Sequence, residues 1–332
     1  MKLSLLLALA LSLSCAAFAS SSTITTRPDD PAAVYLDTPD PNTDSSAALQ
    51  AAIDKAEGRA HEGIVFIPSG RYTLTRSIYI WPGVRLIGYG ATRPVFVLPP
   101  HTPGFQKGMG VMVIFTGLSR TEPTRAGGPI PFPPPGSVPP NNNVADANSG
   151  TFYSAMTNID FEIGEGNPSA VAVRFHVAQH AFLTHMDFHI GSGLAALYQV
   201  GNEAEDVHFY GGRYGILTEK TSPAWQFTLI DSTFEDQREA AIREHEAGLT
   251  LIRDTFRNVP KAIDIDAGYP DQLWAKDCRF EQITDAVVTI SKEDSPLTEV
   301  GFENAIIEHA PIFARRRESG KIGRASCRER VW

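Results

Sequence analysis

The apolar and polar positions along this 332-residue chain settle into a short phrase that ends in phenylalanine and keeps returning. "NIDF" closes at Phe161, "HMDF" at Phe188, "DVHF" at Phe209 and "DSTF" at Phe234, followed by "RDTF" at Phe256, "DCRF" at Phe280 and "EVGF" at Phe302. After each comes an apolar pulse too short for a helix, from "VAVRF" and "AALYQV" through "YGIL" and "AAIRE" to "KAIDID" and "AVVTI". A period of roughly 20 to 50 residues marks a repeat architecture. One such unit cannot bury its apolar face alone, so it stacks on the next. The pattern predicts an all-β fold, a right-handed single-stranded parallel β-helix with the Phe rings laddered inside. A β-sandwich with coincidental Phe spacing is the alternative.

Strand alternation sorts inward from outward residues. Ile159, Phe161, Ile163, Met186, Phe188 and Ile190 are expected inside, as are Val173, Leu197, Ile216, Ile242 and Ile263 on the second strand of each coil. Ahead of the repeats, "TPDPNTDSSAALQAAIDKAEG" reads as a helix capped by Asp44 or Ser45, with Ala48, Leu49, Ala52 and Ile53 as its apolar stripe and Gly58 as its stop. This helix is expected to cap the open end of the β-helix, where strand edges would otherwise lie unpaired. "GIVFIPSGRYTLTRSIYIWPGVRLIGYG" then alternates as strands separated by turn residues.

These segments carry a family resemblance. "DTPDPNTDSSAALQAAID", "GIVFIPSGRYTLTRSIYI" and "VRLIGYG" resemble the N-terminal signature of the pectate-lyase-like domain of rhamnogalacturonase/epimerase-like proteins, shared by glycoside hydrolase family 55 exo-β-1,3-glucanases. "AVAVRFHVAQHAFLTHMDF" with "HFYGGRYGI" after it is similar to the family 55 Gln-Val-Ala-Gln stretch, with His176 in place of the first Gln and Gln179 matching the last. The resemblance implies a β-helix acting on polysaccharide, and it implies that a family 55 general acid lies later in the chain.

The two ends depart from the repeat. Residues 1–19 have a positive start at Lys2, an apolar core and an "AFA" cleavage site, and read as a signal peptide. This predicts a secreted protein, extracellular or periplasmic. "KIGRASCRERVW", residues 321–332, is basic and patternless and reads codon for codon as sequencing-adapter DNA. On that reading the β-helix domain is 20–320 and further coils lie beyond it. Residues 121–150, rich in Pro, Gly and Asn, read as a long loop or lid between coils, with a domain linker as the alternative; such a loop is either merely mobile or the wall of a carbohydrate groove.

Net charge is −9, and without the leader and the basic tail the remainder is more acidic still, which argues against nucleic acid or an anionic membrane as partner. Of the three cysteines, Cys15 falls in the leader and Cys327 in the tail. Cys278 is left as a small residue near the core, with no disulfide framework.

The outward rows hold the candidate chemistry. One stripe carries Asp160, Asp187 and His208, its neighbour Glu162, His189, Tyr210 and Glu235, with coils about 4.8 Å apart. The second strands are expected to present Arg174, His176, Tyr198, Arg243, His245, Asp264 and Asp266 outward, with Thr218 on the flank. "IREHEAG" brings Glu244 beside His245. Asp264 and Asp266 share a face with Cα atoms about 6.6 Å apart, near the roughly 6.5–9.5 Å carboxyl separation of inverting glycosidases. Asp264, Asp266, His245 and Glu244 are therefore the expected catalytic groups, with Arg174, His176, Gln179, Tyr198, Arg243, Asp187, His189 and His208 binding the sugar. Tyr198, Tyr210, Tyr214, Trp225 and Trp274 are candidates to stack on pyranose rings.

No cofactor is expected. His176, His180, His185 and His189 fit no common zinc spacing, and Asp160, Asp187 and Asp206 could form a carboxylate cluster for Ca2+. The expected activity is hydrolysis of a β-glucan or pectic chain. The alternatives are β-elimination on a uronate chain, with Arg174 or Arg243 as base, and a carbohydrate-binding module without turnover.

Overall fold

The computed structural model describes residues 20–40, 43–60, 63–118, 144–147, 149–220 and 226–323. The signal-peptide reading of 1–19, most of the Pro-rich segment, Trp225 and all but the first three tail residues lie outside them.

Strands wind through roughly nine turns of a β-solenoid. A 10-stranded sheet makes one face, and a 17-stranded sheet makes the other two. Neighbours in the 10-stranded sheet are parallel except at the last pairing, Ala314↔Gly323, which is antiparallel. The 17-stranded sheet bends along a line of corners. Strands such as Ala155–Thr157 and Phe227–Ile230 lie on the first face, and Asp160–Ile163 and Thr233–Glu235 on the second. Phe182–Gly191 and Asn202–Gly211 run through both. The 10-stranded sheet is the third face.

The bend has a residue-level cause. Asn158, His185, Asp206, Asp231, Arg253, Asp277 and Asn304 occupy the corner of successive coils, each with φ between 52° and 59°. Most are Asp or Asn, whose short polar side chains tolerate the left-handed region best. One such residue per coil interrupts the two-residue alternation and turns the next side chain inward. That position holds Ile159, Met186, Val207, Ser232, Asp254 and Cys278, all buried. Burial pushes the Cys278 thiol up to about 12, as expected of a packed rather than a nucleophilic cysteine.

The Phe ladder is the core. Phe161, Phe188, Phe209, Phe234, Phe256 and Phe280 are fully buried and stack with centroids 4.5–5.6 Å apart and planes within 17° of parallel. Such offset pairs add about 0.5–1.5 kcal/mol each beyond their area burial. The inward residues expected on both strands are likewise buried.

Helix α1, Ser46–Ala60, packs on the first strands as the cap. Asp44 Oδ1 accepts from the Ser46 backbone N–H at 2.9 Å, and the Leu49 N–H bonds to Ser45 O at 2.9 Å. Two details differ from expectation. The buried stripe is Leu49, Ala52, Ile53 and Ala56, with Ala48 exposed, and the helix continues past Gly58. Glycine weakens a helix interior by only about 1 kcal/mol, and Gly58 has an open surface around it.

Candidate functional site

The outer row of the third face comes from register. Arg174 pairs with Tyr198, Leu217 with Arg243, and Arg243 with Asp264 on successive coils. Spacings of about 4.8 Å let long polar side chains reach one another across coils. They form two hydrogen-bonded groups that meet at an ion-pair distance between Glu219 and His245.

At its first end, Asp146 Oδ1 accepts from Arg174 at 2.6 Å and lies 3.2 Å from His176 Nδ1. Arg174 Nε donates to Gln199 Oε1 at 2.6 Å. Gln199 Nε2 and the Tyr198 hydroxyl both donate to Glu219 Oε1 at 2.9 Å. Glu219 Oε2 then lies 3.8 Å from His245 Nε2, and His245 Nδ1 lies 3.1 Å from Asp266 Oδ2. Asp266 Oδ1 accepts from Arg243 Nε at 2.8 Å, and Arg243 donates to the Tyr214 hydroxyl at 2.8 Å. Tyr269, 41% exposed, stacks on the His245 ring with centroids 4.1 Å apart.

The network sets its own protonation. Burial works to raise the Asp146 carboxyl, but hydrogen bonds from His176 and Arg174 outweigh it and bring it to about 2. Burial works to lower the Arg243 guanidinium, but hydrogen bonds to Asp266 and Tyr214 hold it above its ordinary value. Burial, reinforced by Glu219, pushes the Tyr198 phenol up.

Several expected positions are corrected. Arg174, His176, Tyr198 and Thr218 belong to the outer row but are buried, with Asp146 lying over Arg174 and His176. Residues 144–147 and 149–150 are what the structure describes of the expected 121–150 wall; 121–143 and 148 lie outside the described residues. Glu244 faces inward in register with Ile265 and is fully buried against Asp271, and burial pushes its carboxyl well up. It is not on the outer face with His245. Asp264 and Asp266 do share that face but belong to different clusters: Asp264 pairs with Lys261 at 2.9 Å and with Arg317, and Asp266 with Arg243 and His245. Gln179 lies apart, lining a hollow with Tyr153, His180 and Asn202.

The second-face stripe assembles as well, around a cation of its own. The Arg93 guanidinium lies 3.2 Å from Asp160 Oδ1, 3.1 Å from Asp187 Oδ1 and 4.0 Å from Asp206 Oδ2. The three carboxylates considered for Ca2+ are thus gathered around a side-chain cation. Asp160, expected outward, is buried. Ser20 donates to Asp187 Oδ2 at 2.6 Å. His185 and His208 lie 2.7 and 3.0 Å from Asp206, and His189 stacks on Tyr210. Among the described residues, no group of three or more His, Cys, Asp or Glu is arranged to hold a metal, and no helix is long and apolar enough to cross a membrane.

Sequence reasoning missed Asp146, Glu219 and Arg93. Each is brought in from outside the repeated phrases, and only the "T-E-K" just after "YGIL" hinted at Glu219.

The chain belongs to the rhamnogalacturonase A/epimerase, pectate lyase-like family, which matches residues 37–264. No curated protein sequence matches it. Solved structures that resemble it include ORF18 of Geobacillus virus E2, with 13% identity and a TM-score of 0.39 over 86% of this chain and 60% of that one. The phiAB6 tailspike, solved with oligosaccharides of Acinetobacter baumannii surface polysaccharide, has 14% identity and a TM-score of 0.47 over 83% and 46%. The exopolygalacturonase of Thermotoga maritima has 11% identity and a TM-score of 0.46 over 89% and 90%. The chain thus spans less than two thirds of the two phage proteins' length. At these scores none of the three bears on its chemistry.

Proposed function

We propose that this protein is a secreted polysaccharide hydrolase whose sugar site is the outer third face around Glu219, Arg243, His245 and Asp266. The observation that carries the reading is His245, held between two carboxylates, Glu219 at 3.8 Å and Asp266 at 3.1 Å, beside an exposed Tyr269 ring. Glycoside hydrolysis needs one group to protonate the leaving oxygen and another to activate water. Glu219 and Asp266 flank one imidazole, so one carboxyl protonates the leaving oxygen while the other activates water, with His245 positioned between them. Tyr198 and Gln199 donate to Glu219, and Arg243 donates to Asp266, so both carboxylates are held in place. This pair replaces Asp264 and Asp266 as the acid–base set. Arg174, His176 and Tyr198 position the chain of groups from beneath.

The same geometry weighs against β-elimination at these residues. An Arg base must lose its proton, and Arg243 is held above its ordinary pKa by Asp266 and Tyr214. The substrate class, a β-glucan or a pectic chain, rests on family membership and on the family 55 resemblance of "HVAQ".

The test is turnover of laminarin, pectin, polygalacturonate and rhamnogalacturonan by the full chain. His245→Ala, Asp266→Asn and Glu219→Gln are expected to lose about 10²–10⁴-fold, the range of general acid–base catalysis, with Asp187→Asn and His208→Ala close to wild type. Loss confined to the last two moves the site to the second face. Binding of any of these polymers without turnover makes the protein a carbohydrate-binding module.

A further inference from the structure

A second hollowed surface lies on the first face, outside the His245 site. Its outer row runs Thr228, Thr250, Trp274 and Gly301 on four successive coils. Trp274 is 46% exposed, unusual for the residue type that most gains from burial. Its ring does not stand free. A Cβ on Gly301 would meet the six-membered part of the indole at 2.4 and 2.5 Å. The ring therefore lies directly over the glycine of the next coil, in the space that any other residue would fill. Gly301 keeps an ordinary strand backbone, since it is absent from the left-handed positions, so its lack of a side chain serves the ring and not a turn.

Amide and hydroxyl groups border this ring. Gln226 donates to the Thr250 hydroxyl at 2.6 Å. Gln226 and Gln272 line both the hollow of about 460 Å³ at Trp274 and an adjoining one of about 310 Å³. The second hollow reaches Pro270, the residue after Tyr269, whose ring stacks on His245. Along the chain this hollow therefore ends one residue from the third-face site. From Tyr269 to Trp274 is at most about 17 Å of extended chain, a span that a few linked sugars bridge. The charged side chains along it are Lys220, Glu246 and Glu299, with Asp271 below. Carboxylates outnumber cations, so a uronate chain meets net repulsion, while a neutral pyranose offers an apolar ring face to the indole and hydroxyls to the two amides.

We infer that Trp274, lying over Gly301 and bordered by Gln226 and Gln272, is a binding platform for a neutral polysaccharide chain. It goes beyond the proposed reaction site and does not depend on turnover there.

The experiment is affinity electrophoresis of the full chain in gels containing laminarin, galactan or arabinan as neutral probes and polygalacturonate as the charged one. Tryptophan fluorescence is titrated in parallel. The wild type is expected to be retarded by at least one neutral probe. Trp274→Ala should weaken that binding 10-fold or more and Trp274→Phe less. Gly301→Val should also weaken it, because the new side chain displaces the ring. Circular dichroism melts of the three variants show whether the fold is intact; the Trp274 variants remove only an exposed ring, so they carry the test if Gly301→Val melts early. Turnover of short soluble oligosaccharides by Trp274→Ala should match wild type, which separates failure of the platform from failure of the reaction site. Equal affinity of wild type and Trp274→Ala, binding of polygalacturonate alone, or retardation by none of the neutral probes overturns the platform. Self-association of the wild type that Trp274→Ala abolishes, with no sugar binding, assigns the ring to a second copy of the chain instead.

Discussion

Two outer faces of this β-helix each bury an arginine among carboxylates, and they do so in opposite proportion. On the second face one guanidinium, Arg93, serves Asp160 and Asp187 directly with Asp206 at 4.0 Å. Burial and the Asp187 charge then leave the Asp160 carboxyl above its ordinary value despite the Arg93 contact. On the third face a single carboxylate, Asp146, receives both Arg174 and His176 and falls to about 2. The second-face cluster is also covered by the chain itself. Ser20 bonds to Asp187, Thr23 N–H donates to Asn158 at 3.0 Å, and Gly90 N–H donates to Ile24 O. The third face instead continues outward from its buried end to His245, Asp266 and an exposed tyrosine. Like residue types therefore end differently on the two faces: the N-terminal segment bonds over Asp187 and Asn158 on one, and an exposed tyrosine stacks on His245 on the other.

The comparison breaks most visibly if the shared core beneath both faces is removed. Phe209→Ala is expected to cost about 3–5 kcal/mol, read by urea melts, and to weaken both faces together. Loss on one face alone would mean that the coils do not share one ladder. Arg93→Ala comes next. It leaves the buried Asp160 uncompensated and should cost about 3 kcal/mol, at the lower end of broken buried pairs, while turnover per folded molecule stays unchanged. A fall in turnover with intact stability would make the second face functional.

Acid titration sharpens the contrast through opposite signs. The folded Asp146 pKa lies below its unfolded value, so its stabilisation is present above about pH 4 and is lost as the pH falls through about 2, roughly 2 kcal/mol in all. Asp160 is shifted upward, so its protonated form favours the fold and its ionisation costs stability as the pH rises past its ordinary value of 3.8. Melting curves between pH 2 and 6 should flatten at the acid end in Asp146→Asn, and Asp160→Asn should lose the second dependence. The smallest effect is expected for Arg243→Ala, whose partly exposed pair contributes within about 1 kcal/mol to stability although its loss should impair turnover.

The coil and its ladder were legible because Phe161, Phe188, Phe209 and their successors recur in a fixed phrase, and one buried side chain per coil is a strong periodic signal. The outer faces were legible only in part. Alternation put Asp160 outside, but the left-handed corner at Asn158 and the Arg93 guanidinium, 67 residues away in sequence, fold it under cover. Arg174 and His176 were placed on the correct face, yet Asp146 reaches them from the edge of a Pro-rich segment that carries no strand pattern. Glu244 looked equivalent to His245 in "IREHEAG", and the same two-residue alternation sends its carboxyl inward. Repeats encode what each coil does alike, whereas the site depends on what single coils do differently.

The central claim is that polysaccharide engages the third face and not the second. Hydroxyl-radical footprinting of the folded chain, with and without saturating substrate from the turnover panel, tests it side chain by side chain. Protection of His245 and Tyr269, with His189 and Tyr210 oxidised as in the free protein, is the predicted result. Protection of His189 and Tyr210 with His245 and Tyr269 unchanged would contradict it.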